Sequence, residues 1–404
     1  MENVESVFKF YYMKTIKRNN GNDIKIYATT LEDVAFEQIK ELGEFEPYQD
    51  SKIRIMPDCH AGAGCTIGTT MEIKDKITPN LVGVDIGCGM LTVKLRETDI
   101  DLQKLDAVIN EFVPNGFNTH LEQKAEFEFH KLIAKNLNIE RAKLSIGSLG
   151  GGNHFIEVGK NSKDELFLVI HSGSRNIGGQ VAKYYQDIAI ANLTDNSKER
   201  EELIERLKTE GKQNEIGEEL KKLKKPIINK DLAYLTGNDF NNYMHDMELM
   251  QKFAVLNRRT VANIVLEKAE LTEAEAFETI HNYIDFKRMI LRKGAVSAEN
   301  GETLLIPINM RDGSIIAKGK GNEDWNYSAP HGAGRLMGRN EAHKKLDFEE
   351  FKEQMKDVYS TSVLTETLDE APNAYKSMNE IIEAIGETVE ILDIIKPIYN
   401  FKAH

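Results

Sequence analysis

The sequence predicts an α+β fold with mixed β-sheets, because of the order in which its patterns occur. Short β-like runs alternate with glycine-rich turns over residues 1–100, residues 180–280 are mostly helical in pattern, and β-like runs return near residues 290–320. This order is neither a regular βαβ series nor a run of strands alone, which indicates the α+β class. The chain exceeds the size of one ordinary core, so its length predicts one large elaborated domain or two fused lobes. We interpret residues 1–404 as one domain with a helical insertion at about 180–280.

The first half of the chain contains one helical stretch and two clear strand patterns. Apolar residues take helical spacing from Asp101 to Lys135. Strand patterns return beside the next glycine cluster, at FIEVG (residues 155–159) and at LFLVIHSGS (residues 166–174). The sequence therefore predicts a helix followed by strands in this region.

Two regions later in the chain, residues 180–280 and 340–395, are predicted to be mostly helical. A charged arm, residues 196–225, has a helical pattern that ends at Pro226, because proline lacks an amide hydrogen and clashes with the preceding turn. Residues 249–268 form an amphipathic helical pattern that we expect to pack on the core. A helical tail is predicted over residues 340–395.

The net charge of −13 argues against a protein that binds nucleic acid through bulk positive charge. A negative net charge does not exclude local basic patches. Three short basic segments occur, and we predict each to be a solvated face: Lys14–Arg18, Lys221–Lys225 and Lys287–Lys293.

The chain carries no sign of a membrane or secretory protein. No apolar run approaches the ~20 residues that a bilayer span needs, and the first twenty residues lack the pattern of a signal peptide. Three cysteines are too few for a disulfide framework. These observations predict a cytoplasmic protein with reduced thiols and no membrane partner.

Residues 82–90, VGVDIGCGM, place a carboxylate and a thiol, two strong metal ligands, inside one glycine-rich turn. Five of the ten histidines also lie in or beside segments rich in Gly, Ser, Asn or Pro. A single histidine in a loop is usually structural, but five of them together with Asp85 and Cys88 predict a site built from loops. The five are His60, His154, His171, His281 and His331.

These residue types indicate the kind of metal. One carboxylate, one thiolate and several imidazoles form a mixed ligand set suited to Mn, Fe, Co or Zn. The compact Cys pairs of a structural zinc site are absent from the sequence, and the ligands are spread over about 200 residues. We therefore expect the fold to assemble a catalytic site, in which a bridging thiolate could hold two metals ~3.5–4 Å apart, a spacing suited to phosphoryl chemistry.

From about residue 50 to its end, interrupted mainly by the charged arm, the chain resembles the RtcB family of RNA ligases. Seven motifs in the family's order carry the resemblance: MPDCH, VGVDIGCGM, GGGNHFIEV, HSGSR, HNY, KGAVSA and HGAGR. The resemblance implies an α+β fold whose sheet-end loops form a metal cleft. It also implies a GTP- and Mn²⁺-dependent ligase that joins RNA 3′-phosphate or 2′,3′-cyclic phosphate ends to 5′-hydroxyl ends, in RNA repair or tRNA splicing.

The resemblance also assigns metal ligands. Asp85, Cys88 and His154 would hold one Mn²⁺, and Cys88, His171 and His281 would hold the second. Cys88 would then be the shared, bridging ligand, which accounts for a thiol and a carboxylate in one short turn. The alternative, in which Cys88 is only a small buried apolar residue, stays open at this point.

His331 of HGAGR resembles the nucleophile of the family. A neutral imidazole can attack the α-phosphorus of GTP, displace pyrophosphate and leave a His–GMP phosphoramidate. Asp58 and His60 of MPDCH resemble residues placed near the RNA end, with a positioning or proton-transfer role. Arg335 could offset phosphate charge.

The nucleotide contacts implied by the resemblance cluster around three of the motifs and a lysine near the end of the sequence. Glu157 can accept hydrogen bonds from guanine N1–H and the 2-amino group together, and Lys402 can donate to guanine O6. Arg175 and Arg258 are candidate phosphate contacts or, equally, structural ion pairs. The full set of expected nucleotide-binding residues is Asn153, His154, Phe155, Ile156, Glu157, His281, Asn282, Pro307, Asn309, Met310, Gly332, Ala333, Gly334 and Lys402.

The chain departs from the family pattern at three places near the expected nucleotide pocket. Many members read PGSMG where this chain has residues 307–311, PINMR, and a serine where this chain has Pro330. The sequence also ends in NFKAH rather than Lys-Gly. These departures suggest a divergent branch, specialised in repairing cleaved RNA rather than in splicing tRNA.

Two other functions are weighed against ligation. A metallo-phosphodiesterase would open cyclic phosphates with the same ligands but without His331. A non-catalytic RNA-binding protein would use the helical arm as its interaction surface. The HGAGR and NHFIE motifs favour the ligase, because neither alternative requires a nucleotide pocket. An activating protein partner is left open.

Overall fold

The computed structural model describes residues 14–19 and 22–403. Over these residues it contains fifteen β-strands and ten α-helices. The strands are β1 (Lys14–Ile16), β2 (Ile24–Ile26), β3 (Ile53–His60), β4 (Ile67–Glu72), β5 (Gly89–Leu95), β6 (Phe155–Lys160), β7 (Leu166–Ser172), β8 (Glu273–Ile280), β9 (Asn282–Asp285), β10 (Ile290–Lys293), β11 (Ala295–Ser297), β12 (Thr303–Asn309), β13 (Gly313–Gly319), β14 (Ser328–Pro330) and β15 (Val389–Lys402). The helices are α1 (Asp33–Glu44), α2 (Leu102–Phe112), α3 (Ile139–Ser145), α4 (Arg175–Thr194), α5 (Ser197–Thr209), α6 (Ile216–Lys222), α7 (Gly237–Ala269), α8 (Arg339–Lys345), α9 (Phe348–Gln354) and α10 (Met378–Ile385).

The strands form three sheets. One sheet has six strands in the order β1-β2-β3-β4-β10-β9, and β11 and β14 form a pair of their own. The largest sheet has seven antiparallel strands in the order β12-β13-β15-β6-β7-β5-β8. Strand β15 lies between β13 and β6, so it joins the β12–β13 hairpin to the other four strands of this sheet.

Helix α7 is the central helix of the core. It contacts β5 and β7 of the seven-stranded sheet, β9 of the six-stranded sheet, and helices α2 and α4. Its buried side chains include Phe253 and Val261, which belong to the two largest apolar clusters. A helix of this length with apolar residues on more than one side is buried by several neighbours at once.

The α+β class predicted from the sequence is confirmed, with mixed sheets and helices around them. The strand predictions at residues 155–159 and 166–174 are confirmed by β6 and β7. The helical pattern of residues 180–280 is confirmed as far as Ala269, but residues 273–280 form β8. The interpretation as one domain with a helical insertion stays a prediction.

Three predictions fail for physical reasons. Helix α2 ends at Phe112, and residues 113–138 are mostly irregular rather than helical. The helical tail ends at Ile385, because the next residues pair with two other strands as β15. The basic segments are not wholly solvated, since three of their members are buried with backbone carbonyls as acceptors: Arg18, Arg292 and Lys293.

Within residues 14–19 and 22–403, every helix is too short or too polar to cross a membrane.

Candidate metal and nucleotide site

Four strand ends of the seven-stranded sheet carry the candidate metal ligands. Cys88 immediately precedes β5, His154 precedes β6, His171 lies near the end of β7 and His281 follows β8. Because β5, β7 and β8 are neighbours and β6 adjoins β7, these positions meet at one edge of the sheet. The backbone amide of His281 also donates to the carbonyl of Cys88 at 2.9 Å, which ties two of the ligand-bearing segments directly.

The turn that carries Asp85 and Cys88 is closed by the Cys88 amide, which donates to the Asp85 carbonyl at 3.2 Å. Gly87 has a φ of 70°, a conformation that costs glycine little. A Cβ at Gly87 would lie 2.8 Å from the Cβ of Ala254 on α7. Glycine is therefore required here both for the turn and for its close packing on the helix.

The first group of candidate ligands is Asp85, Cys88 and His154. Nε2 of His154 lies 2.9 Å from Oδ2 of Asp85 and 3.4 Å from Sγ of Cys88. The other carboxylate oxygen of Asp85 accepts from the backbone amide of Ser174 at 3.0 Å, which holds the carboxylate in place. The three ligand atoms lie within 4.8 Å of one another.

The second group is Cys88, His171 and His281. Sγ of Cys88 lies 3.3 Å from Nε2 of His171, and that nitrogen lies 3.4 Å from Nε2 of His281. Nδ1 of His171 faces the backbone carbonyl of Asn153 at 3.1 Å, so a proton on Nδ1 leaves Nε2 as the free ligand atom. Cys88 belongs to both groups, as expected for a bridging ligand.

Burial sets the protonation of this cluster. It holds the pKa values of His171 and His281 well below the usual range, so both imidazoles are neutral and able to bind a metal. Burial and the nearby Asp85 raise the pKa of the Cys88 thiol well above its usual value. Burial alone would raise the pKa of Asp85, but the hydrogen bond and charge of His154 outweigh it and hold the pKa low.

The donor set fits a divalent transition metal. The cluster offers one carboxylate, one thiol and three imidazoles with converging atoms, a mixed set of the kind that binds Mn²⁺, Fe²⁺, Co²⁺ or Zn²⁺. A bound cation would offset the charge of Asp85 and of a Cys88 thiolate, which burial otherwise disfavours.

His331 lies beside this cluster, with its ring centroid 5.0 Å from that of His281. Asp58 is fully buried behind it, and Oδ2 of Asp58 lies 2.5 Å from Nδ1 of His331. The same oxygen accepts from the backbone amide of His331 at 3.0 Å. This contact assigns the proton to Nδ1, so Nε2 keeps a free lone pair.

A buried lysine braces the Asp58–His331 pair. The Lys376 ammonium donates to the carbonyl of Pro57 at 3.0 Å and to that of Thr30 at 2.8 Å. The Lys376 backbone amide donates to the Gly334 carbonyl at 3.0 Å, in the loop that follows His331. Gly334 packs against the backbone of Asp58, where a Cβ would collide with its carbonyl oxygen.

His60 is the other histidine of the MPDCH segment. Its Nδ1 lies 2.9 Å from the carbonyl oxygen of Asp58. Burial lowers the pKa of His60 to about 4, which keeps this imidazole neutral. His60 lines the same cavity as His331, whereas the Asp58 carboxylate lies behind the cavity wall.

A cavity of about 390 Å³ opens on the His331 side of the cluster. Eleven of the fourteen expected nucleotide-binding residues line this cavity, together with His60, His171 and His331. These eleven are Asn153, Phe155, Glu157, His281, Pro307, Asn309, Met310, Gly332, Ala333, Gly334 and Lys402.

Three expected nucleotide-binding residues do not line this cavity. His154 lines a second cavity on the Asp85 side. Ile156 points to the opposite face of β6, where it is buried in an apolar cluster, because side chains alternate along a strand. The side chain of Asn282 accepts a hydrogen bond from the backbone amide of Gly294 at 2.9 Å.

Six polar cavity residues lie outside the sequence-based set: Glu32, Ser314, Arg339, Glu370, Tyr375 and Asn400. Asn400 is two positions from Lys402, so the two share one face of β15. A strand prediction for this segment would have found Asn400 from Lys402 alone. Ser314 is buried and its hydroxyl has no partner among the described residues.

Glu157 and Asn400 form the acceptor side of the cavity. Nδ2 of Asn400 donates to Oε2 of Glu157 at 2.8 Å. Oε1 of Glu157 and Oδ1 of Asn400 are buried and have no partner among the described residues. Burial raises the pKa of Glu157 to about 8. Unpartnered buried acceptors are costly, so this wall is suited to a ligand that brings N–H donors.

Glu370 contacts the cationic side chains on the other side of the cavity. Its carboxylate accepts from the Lys402 ammonium at 2.7 Å, from the Tyr375 hydroxyl at 2.7 Å and from Arg335 at 3.3 Å. Burial by itself would raise the pKa of Glu370, but the charges of Lys402 and Arg339 outweigh it and hold the pKa at about 2. Glu370 is therefore a fixed anion that orients Lys402.

The second cavity, of about 770 Å³, lies on the Asp85 and His154 side. Arg175 lines it and donates to the Gly116 carbonyl and to the Ser148 hydroxyl, each at 3.0 Å. Phe117 lines the same cavity and is 92% exposed.

Arg258, the other candidate phosphate contact, does not line this cavity. It is fully buried and pairs with Glu278 at 2.8 Å, so its candidate role as a phosphate contact is wrong and the ion-pair alternative holds.

Comparison with known proteins identifies the family. The sequence model of the family described as tRNA-splicing ligase RtcB matches residues 45–144 and 118–403 of the chain. The chain belongs to the RtcB family. The resemblance inferred from the seven motifs is thereby confirmed, and the α+β architecture with its candidate metal cleft is consistent with the RtcB family.

Relatives in the RtcB family occur in bacteria and archaea. The chain is 32% identical over 400 residues to the RNA-splicing ligase RtcB of Escherichia coli K12, with 88% of this chain and 91% of that protein covered. It is 26% identical to RNA-splicing ligase RtcB2 of a second Escherichia coli strain, with 92% and 93% covered. Identity to the tRNA-splicing ligase RtcB of Nanoarchaeum equitans is 25%, with 86% of each chain covered.

Proposed function

We propose that this protein is a GTP- and Mn²⁺-dependent RNA ligase. It joins RNA 3′-phosphate or 2′,3′-cyclic phosphate ends to 5′-hydroxyl ends through a His331–GMP intermediate, in RNA repair or tRNA splicing. The observation that carries the proposal is the imidazole of His331, held by Asp58 at the boundary between the nucleotide-sized cavity and the ligand cluster. Membership of the RtcB family supports RNA ligation as the reaction class.

His331 acts as the nucleophile in the first step. Nε2 attacks the α-phosphorus of GTP, an N–P bond forms, and the bond from Pα to the bridging oxygen breaks with release of pyrophosphate. The carboxylate of Asp58 accepts the Nδ1–H hydrogen bond and stabilises the positive charge that develops on the ring. The RNA 3′-phosphate then takes the GMP, and the 5′-hydroxyl displaces GMP from this activated end.

The polar walls of the cavity support guanine as the base. The unpartnered acceptors of Glu157 and Asn400 match the N1–H and 2-amino donors of guanine, and Lys402 can donate to O6. Adenine offers no N1–H and carries an amino group where guanine has O6. The altered segment 307–311 lies on the same cavity, with the Asn309 side chain accepting from the amides of Arg311 and Asp312.

Asp85, Cys88, His154, His171 and His281 would hold two Mn²⁺ ions. When bound, these ions supply Lewis-acid stabilisation of phosphate charge and can activate the water that opens a cyclic phosphate. Metal binding by Cys88 requires the reduced residue, and all three cysteines are outside disulfides. We therefore propose that the protein works in a reducing compartment, the cytoplasm.

The second cavity is the proposed site for the RNA ends. It adjoins Asp85 and His154, and the Arg175 guanidinium on its wall can bind a phosphate. The exposed ring of Phe117 can stack on an unpaired base.

The proposal is tested by incubating the protein with Mn²⁺, GTP and two RNA strands, one with a 3′-phosphate or 2′,3′-cyclic phosphate and one with a 5′-hydroxyl. We expect a joined product that requires both GTP and Mn²⁺. Opening of the cyclic phosphate without joining, and without any GMP–protein adduct, would identify a phosphodiesterase. RNA binding with neither reaction would identify a binding protein.

GTP affinity is expected to depend on pH through Glu157. Its pKa of about 8 leaves Glu157 protonated at pH 7, whereas guanine donors favour the carboxylate. Affinity should therefore rise about tenfold per pH unit up to pH 8 and then level off. Calorimetry with an α,β-methylene analogue of GTP measures this affinity without adduct formation.

The raised pKa of Glu157 also affects the stability of the folded protein. It adds stability at low pH that is lost as the pH rises through about 8, since the folded state binds the extra proton.

Glu157→Gln is the matched control, because the amide keeps the shape but cannot ionise. This variant should lose the pH dependence that is specific to the wild type and bind GTP more weakly. Its preference for GTP over ATP should fall, since rejection of adenine rests on an unpaired buried acceptor worth about 1–3 kcal/mol or more. Identical pH profiles for wild type and Glu157→Gln would remove Glu157 from base recognition.

A further inference from the structure

We propose that Arg258 of helix α7 is a positioning residue that sets the two candidate metal-binding groups relative to each other. The inference rests on the proposed metal site. Arg258 is fully buried, and its Nη1 donates to two backbone carbonyls, those of Gly87 at 2.7 Å and Ser172 at 2.8 Å. Gly87 directly precedes Cys88, and Ser172 directly follows His171.

One guanidinium nitrogen therefore bridges the turn of the shared ligand and the strand end of a second ligand. Sγ of Cys88 and Nε2 of His171 lie 3.3 Å apart, a separation that depends on how these two backbones are held. The direct ladder between β5 and β7 ends at the Gly89–Ser172 pair, so the segment before Gly89 lacks a strand partner on this side. Arg258 supplies the connection beyond the end of the ladder.

The geometry favours a positioning role over simple ion pairing. The Arg258 Nε donates to Oε2 of Glu278 at 2.8 Å, which fixes the orientation of the guanidinium plane. Its Nη2 is buried and has no partner among the described residues. The two N–H donors of Nη2 thus stay unused, while both carbonyl contacts of Nη1 are short. A lysine at this place has no rigid planar fork to hold all three acceptors.

Two other residues of α7, Asn257 and Gln251, contact backbone near the candidate ligands. Oδ1 of Asn257 accepts from the amide of Gly147 at 2.8 Å, and its Nδ2 donates to the carbonyl of Gly173 at 3.2 Å. Gln251 pairs with both backbone groups of Ile284, in the strand after His281. Gln251 and Arg258 lie seven positions apart, on one face of the helix, so α7 supports the backbone beside three of the candidate ligands, Cys88, His171 and His281.

The test measures Mn²⁺ binding rather than ligation. We expect Arg258→Met to weaken Mn²⁺ at both sites by about 10- to 100-fold in calorimetry, the cost of losing a group that orients metal ligands. Two Mn²⁺ ions sharing Cys88 should couple magnetically in the wild type. In the variant, electron paramagnetic resonance should show the six-line signal of isolated ions instead.

Arg54→Met is the matched control for general destabilisation. Arg54 is also buried, donates to backbone carbonyls including those of Asp23 and Ile53, and pairs with the carboxylate of Asp324 at 3.1 Å, but it contacts no candidate ligand segment. This variant should lower the melting temperature of the metal-free protein and leave Mn²⁺ affinity unchanged. Equal losses of affinity in both methionine variants would overturn the inference.

Arg258→Lys keeps the charge and decides the question if the methionine variant does not fold. We expect at least about tenfold weaker Mn²⁺ binding with a near-normal melting temperature. Wild-type affinity in Arg258→Lys would mean that charge alone suffices and would overturn the positioning role. Failure of the wild type to bind Mn²⁺ would instead reject the metal site itself, which separates the two conclusions.

Discussion

His331→Ala is expected to abolish labelling of the protein by α-labelled GTP and to abolish ligation. The alanine has no nucleophile, and removal of a nucleophile that acts with an orienting partner costs on the order of 10⁴-fold or more. The wild-type adduct should be acid-labile and comparatively alkali-stable, as a phosphoramidate is. The measurements are gel autoradiography of the protein and denaturing gels of the RNA.

The variant should still join an RNA whose 3′ end already carries the activating GMP, because His331 has no further part after GMP transfer. Asp58→Asn provides the matched control for orientation. Its amide would donate to Nδ1 of His331 and move the imidazole proton to Nε2, so labelling should fall by about 10²- to 10⁴-fold with the nucleophile still present. Labelling that persists in His331→Ala would keep the ligase and move the nucleophile, with His60 the next candidate.

Cys88→Ala should weaken both Mn²⁺ sites together. Cys88 is the one residue common to the two groups of candidate ligands, so its loss leaves Asp85 with His154 in one group and His171 with His281 in the other. We expect a loss in affinity at each site that exceeds the roughly 10- to 100-fold cost of losing an outer partner. Metal content after dialysis and calorimetric titration with Mn²⁺ measure the effect.

Two single-group variants make this result specific. His154→Ala removes a ligand from the first group alone, and His281→Ala removes one from the second alone. Each should keep one Mn²⁺ and lose the other, whereas Cys88→Ala should keep neither. Retention of two tightly bound ions in Cys88→Ala would show that the thiolate is not the bridge, and circular dichroism would check that each variant is folded.

The candidate metal ligands could be named from the sequence because each sits in a short motif next to a strand end. In a glycine-rich turn such as VGVDIGCGM, the residues of the turn themselves determine its backbone conformation. The local sequence is therefore enough to indicate which side chains the turn presents. The structure brings Asp85, Cys88 and the three histidines together as that pattern suggests. Lys376 was not predicted, and Arg258 was named only as a phosphate contact or an ion pair. Their bonds to backbone carbonyls of distant segments could not be predicted, because such carbonyls leave no sequence pattern near the lysine or arginine that they bind.

The strand β15 is the largest feature that local sequence did not reveal. Its residues mix acidic and apolar side chains in a way that also suits a helix, and Pro397 argues against a central strand. Two neighbours, β13 and β6, override that preference, and a register shift between Pro397 and Tyr399 accommodates the proline. Asn400 was overlooked for the same reason, since its place on the cavity wall follows from the strand.

Because β15 lies in the interior of its sheet, completion of the cavity beside His331 depends on the docking of this one strand. Asn400 and Glu157 pair across 243 positions of sequence, so this wall of the cavity forms only when β15 has docked beside β6. Without β15 the wall formed by Glu157 and Asn400 is incomplete, whereas no candidate metal ligand lies on this strand. A refolding chain should therefore regain Mn²⁺ binding no later than GTP binding, which stopped-flow titration can follow. Molecules in which β15 has not yet docked would be unable to bind GTP and react with it.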